Sequence, residues 1–160
     1  MKKSGRMFVA GLILGAVMTG VAVWMVMPTM MLSVHPSKYG VDETVTMIKQ
    51  ASNTKGWLVP KVYDIQKSLQ KAGHDDISSA KIISLCQPHH AYKILNDDEN
   101  KKVLAVMPCR IGVYTAVNGR TYIAVMNIGL MGKMFGGTIA EVMEAAAADE
   151  REILASVIAD

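Results

Sequence analysis

A chain of 160 residues has room for one ordinary domain. Its 51% hydrophobic content is concentrated near the N-terminus, and its formal net charge of +3 matches Lys2, Lys3 and Arg6 ahead of that stretch, since the other cations balance the 14 Asp and Glu. With no basic excess, and no Lys/Arg stripe interleaved with aromatics, nucleic-acid binding is excluded.

Met7 to Met27 is a run of 21 residues without Asp, Glu, Lys, Arg, His, Asn or Gln. As a helix it reaches roughly 30 Å, the thickness of a hydrocarbon core. No small-x-small cleavage site follows, only Trp24-Met25-Val26-Met27-Pro28, so an uncleaved signal anchor is expected. Lys38 is the only Lys or Arg in the fifteen residues after it, and the positive-inside rule therefore places the N-terminus in the cytoplasm. The expected organisation is a basic tail over 1–6, a transmembrane anchor over 7–27, a linker or first strand over 28–37, and a domain over 38–160. That domain faces the periplasm or exterior from a single-pass position in the inner (plasma) membrane. Gly11, Gly15, Thr19 and Ala22 align small residues on one helix face, which lets a second copy or a helix of another membrane protein approach closely.

In the domain, Pro28 to Pro36 reads as linker and first strand. Val41, Val45 and Ile48 recur at helical spacing, with Gly56 as the stop. Trp57 to Tyr63 is a strand whose Pro60 argues for an edge or bulge. A short polar helix over 64–72 precedes Gly73. Lys81 to Cys86 suits a buried strand, and Pro88 sits well at the first position of a helix carrying His89 and His90. Asn96 to Lys102 reads as a solvated loop. Arg110 to Ala116 and Arg120 to Asn127 form a hairpin, with Asn118-Gly119 as a two-residue turn. A glycine-rich segment, 128–137, then precedes a long helix over 138–158 with Ile139, Val142, Met143, Ala146, Ile153, Leu154 and Val157 apolar. The fold class is α+β, a largely antiparallel sheet packed by helices.

The ordered motifs, a strand ending in Cys86-x-Pro88-x-x-Ala91-x-x-x-Leu95, an acidic loop, Met107-Pro108-Cys109, and two strands about Asn118-Gly119, resemble the domain-of-unknown-function-302 family. The resemblance spans Lys38 to the end and implies a compact α+β fold. It implies no established activity and supplies no catalytic residue. Cys86 and Cys109 match its motifs, whereas His89 and His90 lie outside them.

Three chemistries fit the two cysteines. In an oxidising compartment they form a structural disulfide, worth roughly 3 kcal/mol. Cys86 precedes a helix N-terminus, where the dipole favours the thiolate, so the pair also suits thiol redox chemistry. With His89, His90, Met107, Met131 and Met134 as soft donors, it suits copper or haem iron. The Met25, Met27, Met30, Met31 and His35 cluster is a second candidate for copper, although methionine also serves as apolar filler. Arg110 is a candidate anion clamp or thiolate stabiliser. The carboxylates of 149–152 read as an exposed helical face. With no catalytic constellation evident, the first expectation is a non-enzymatic accessory or subunit protein, docked on a membrane redox complex, with a Cys86–Cys109 disulfide. The alternative is a small thiol-redox or metal-handling protein using the same cysteines.

Overall fold

The structure, a computed structural model, describes residues 2–159 and divides into two units, 1–31 and 32–160. The first is a single helix, α1 (Lys2–Met31), whose Gly11–Met31 segment is long and apolar enough to cross a membrane by length and composition. The helix runs past Pro28, so the apolar segment ends later than the Met27 expected. Proline removes one backbone donor here, and the Thr29 hydroxyl donates to the Val26 carbonyl at 2.7 Å in the same turn. Gly11, Gly15, Thr19 and Ala22 are all exposed on α1. The side chains of Lys2, Lys3 and Arg6 lie outside the described residues.

The second unit is an antiparallel five-stranded sheet in the order β1-β5-β4-β3-β2, from β1 (Leu32–Pro36), β2 (Leu58–Asp64), β3 (Ala80–Cys86), β4 (Cys109–Thr115) and β5 (Thr121–Met126). The register pairs Ile83 with Ile111, Ile111 with Val125, and Val113 with Ile123. Because side chains alternate along a strand, these residues share one face. They form the core there with α2 (Val41–Thr54) and the C-terminal helix α6 (Gly137–Leu154). The helical spacing of Val41, Val45, Ile48 and Ser52 buries one side of α2, and Gly56 at φ +74° ends it, as expected. Pro60 falls on the edge strand β2, beside a register shift between Leu58 and Lys61.

Three local expectations are corrected. Asn96 to Lys102 is not wholly a loop, for a 3-10 helix spans Asp98–Ala105, begun by the Asp97 carboxylate accepting from Glu99 N–H at 3.0 Å. The hairpin turn has three residues, Val117, Asn118 and Gly119: Ala116 donates to the Arg120 carbonyl, and only Gly119, at φ +77°, enters the left-handed region. A two-residue type I′ turn would need Asn118 there as well. The glycine-rich segment is itself a helix, α5 (Ile128–Phe135), and the final helix starts after it and ends at Leu154. Glycine is required in α5 for close approach to α6. A Cβ on Gly132 would lie 2.6 Å from Met143 Cβ.

Candidate functional site

At the end of the sheet where β3 finishes and β4 begins, an apolar cavity of about 50 Å³ lies under α4 (Pro88–Leu95) and α6. Cys86 and Cys109 both line it. They reach it from neighbouring strands: Cys109 pairs with Leu85, one residue before Cys86. Strict alternation turns Cys109 to the core face with Leu85, and Cys86 to the opposite face. As the last residue of its strand, Cys86 nonetheless borders the cavity before the chain turns into α4. Both thiols are unbonded in this structure.

The α4 turn is built locally. The Gln87 side chain caps it, Oε1 accepting from His90 N–H at 2.8 Å, with Pro88 at the first helical position. This turn carries His90 to the cavity wall. There its ring meets Trp57 edge-on at 5.9 Å, and its buried Nδ1 has no hydrogen-bond partner. Met107 and Pro108, joined by a cis peptide, form the wall ahead of Cys109.

Charge at the site is set by burial. Burial, with smaller contributions from the Glu150 and Cys86 charges, pushes the Cys109 thiol up to about 11. Burial alone raises the Glu150 carboxyl to about 7. Glu150 is 9% exposed, so the acidic run over 149–152 is not the uniformly solvated face expected. Its position was available from periodicity: Met143, Ala146, Glu150, Ile153 and Val157 continue one helix stripe through the charged run. Neighbouring Asp149 turns elsewhere, accepting from the Trp57 indole N–H at 3.0 Å.

The structure therefore brings together four of the residues proposed from sequence: Cys86, His90, Met107 and Cys109. It leaves the others outside the cavity. His89 is exposed on α4. Arg110 is exposed, because it follows Cys109 on β4 and faces the other way. On α5, Met131 is buried and Met134 is 62% exposed, and neither lines the cavity. Among the described residues, no group of three or more His, Cys, Asp or Glu is placed to hold a metal ion. A haem does not fit either: pockets for organic ligands run to roughly 300–1,000 Å³, well beyond about 50 Å³.

A five-stranded antiparallel sheet with helices on its core face and two thiols at one end of it places the molecule among small α+β domains. The chain belongs to the family described as "Domain of unknown function DUF302", whose model matches residues 33–160. Among solved structures, the uncharacterized conserved protein DUF302 from Bacillus stearothermophilus is similar, with a TM-score of 0.70 and 24% identity over 79% of this chain and 97% of that one. That likeness shows the fold. No curated protein matches the chain.

Proposed function

We propose that this is a membrane-tethered thiol-redox accessory protein. In it α1 anchors the domain on the outer side of the inner membrane, and Cys86 and Cys109 cycle between dithiol and disulfide against a partner's thiols or disulfides. The reading rests on one observation, two unbonded cysteines on a shared apolar cavity. A strand spacing of about 4.8 Å and a rise of about 3.4 Å put their α-carbons about 6 Å apart, inside the range disulfides use. Closing the bond takes a backbone rotation at Cys86 that brings its Cβ to the Cys109 face, at the point where the chain already leaves β3 for α4.

Cys86 is the attacking sulfur, since Cys109 is held as a thiol. The Cys86 thiolate attacks a partner disulfide, bonds one of its sulfurs and expels the other as thiolate. The Cys109 sulfur then attacks Cys86 Sγ, and the remaining partner thiolate leaves. The pair is oxidised by two electrons and the partner disulfide is reduced by two; the reverse sequence oxidises a partner dithiol. The small-residue face of α1 supports a further part of the proposal, that the tether packs against a partner's transmembrane helix or a second copy.

One observation favours a second reading. The unpartnered His90 Nδ1 shares its cavity wall with two thiols and the Met107 thioether, all soft donors of the kind monovalent copper takes, although binding would require the side chains to draw together, since no three of the His and Cys groups are placed to hold an ion here. Thiol titration before and after mild oxidation, with metal analysis of the detergent-purified protein, separates the two. Two titratable thiols that disappear on oxidation, without stoichiometric copper, support the redox reading. Stoichiometric copper with thiols that resist oxidation supports the second.

A further inference from the structure

Glu150 lies one turn beyond Ala146 on α6. Ala146, with Val142 and Met143 before it, walls the cavity that Cys109 borders from the sheet. Residues four apart share a helix face, so Glu150, 9% exposed, continues the inward face of α6 one turn beyond the residues that line the cavity, and its charge is felt at the Cys109 thiol. We propose that Glu150 takes the Cys109 proton as the disulfide closes and returns it when the disulfide is reduced. This inference rests on the dithiol reading above.

The reason is a mismatch that the dithiol cycle must solve. Cys109 must become a nucleophile inside an apolar wall that holds it protonated, and a cavity of about 50 Å³ has room for only a few water molecules. A base carried within the fold removes that obstacle. Glu150 is suited to it because, among the described residues, no cation pairs with it. Lys55, after α2, goes to Glu152 and, at 4.0 Å, to Asp149. Lys93 of α4 goes to Glu141 at 2.7 Å. Lys133 of α5, Arg151 and Glu144 of α6, and Asp42, Glu43 and Lys49 of α2 are exposed. The remaining titratable groups at the cavity are Cys86 on β3 and His90 on α4. Burial leaves Glu150 divided between acid and carboxylate near neutral pH, able to accept a proton and to give it back.

In the step itself, the Cys109 sulfur forms a bond to Cys86 Sγ, the bond from Cys86 Sγ to the partner's sulfur breaks, and that sulfur leaves as thiolate with the electron pair. The Cys109 proton passes to a Glu150 carboxylate oxygen. In the reverse direction, the carboxylic acid protonates the Cys109 sulfur as an incoming thiolate takes Cys86.

The test uses the full chain in detergent and a bis(nitrobenzoate) disulfide, whose coloured thiolate is released once on attack by Cys86 and again on closure by Cys109. In the wild type the second release should rise with pH about a midpoint near 7. In Glu150→Gln the first release should be unchanged, while the second slows at least about 10-fold at neutral pH and loses that midpoint. Glu150→Asp should close more slowly than the wild type but keep the midpoint, which a merely structural role would not restore. Closure in Glu150→Gln at the wild-type rate and with the wild-type pH profile would overturn the assignment and leave the dithiol reading intact. No second release from the wild type overturns both.

Discussion

The Trp57 indole N–H donates to Asp149 Oδ2 at 3.0 Å, joining the start of β2 to α6 beside the two-cysteine cavity. Trp57 is 3% exposed, and its ring also meets His90. One side chain thus ties the helix that carries Glu150 to the wall that carries His90. Trp57→Phe keeps an aromatic ring but removes the donor to a charged acceptor. The expected loss is about 1 to 3 kcal/mol of stability, read from chemical unfolding of the detergent-solubilised chain. Unchanged stability would mean that the bond contributes nothing net.

The close approach of α5 to α6 makes a sharper prediction at glycine. In Gly132→Ala the new methyl would lie 2.6 Å from Met143 Cβ and 3.3 Å from Ala140 Cα, so a helix has to shift. A loss of about 1 to 3 kcal/mol follows. Gly129→Ala, whose nearest contacts are 3.4 Å and 3.5 Å, should cost less. Paired thermal melts of the two variants check the order, and an equal effect would remove the packing argument.

Glu150 gives stability a pH dependence of known sign. Its folded value is about 7 against an ordinary 4.5, so the folded state keeps the proton that the unfolded state releases between those values. The contribution of Glu150 to stability is therefore fully present below about 4.5 and is lost as the pH rises through about 7, by up to about 3 kcal/mol. Glu150→Gln should flatten that slope. Unfolding curves at several pH values in this window measure it, and a wild-type stability that rises with pH across the window would contradict the burial of this carboxyl.

The two thiols should differ in reactivity. With its thiol near 11, Cys109 is ionised to about one part in a thousand at pH 8. Iodoacetamide should label Cys86 first and reach Cys109 only slowly, as followed by peptide mass spectrometry. Labelling of Cys109 as fast as Cys86 would overturn the assignment of Cys86 as the attacking sulfur.

Much of the fold was readable in the chain because its signals are local. Gly56 stops α2, Pro88 starts α4, and the alternating Ile and Val residues of β4 and β5 mark a hairpin. The family resemblance agrees with the match over residues 33–160. What escaped depends on contacts between distant segments. The glycines of α5 look like a loop until α6 is seen against them, and their freedom from side chains is what allows that helix to pack. Cys86 and Cys109 fall at strand ends as the sequence reads, but the face from which each sulfur leaves depends on register, which a one-residue offset decides. Glu150 was hidden by its neighbours: Asp149, Arg151 and Glu152 mark a solvated run, and only the apolar stripe on either side reveals which of the four turns inward. His89 and His90 are adjacent in sequence, yet a helix turns successive residues by about 100°, and only His90 reaches the cavity.

The central claim is that Cys86 and Cys109 form a reversible redox pair. Its most direct test is equilibration of the full chain in detergent with glutathione buffers of increasing oxidation, followed by thiol labelling and mass spectrometry. The expected result is one two-electron transition from two free thiols to a Cys86–Cys109 disulfide, abolished by either Cys86→Ser or Cys109→Ser. Two thiols that stay free to the oxidised limit, or that only take up glutathione singly, would contradict it.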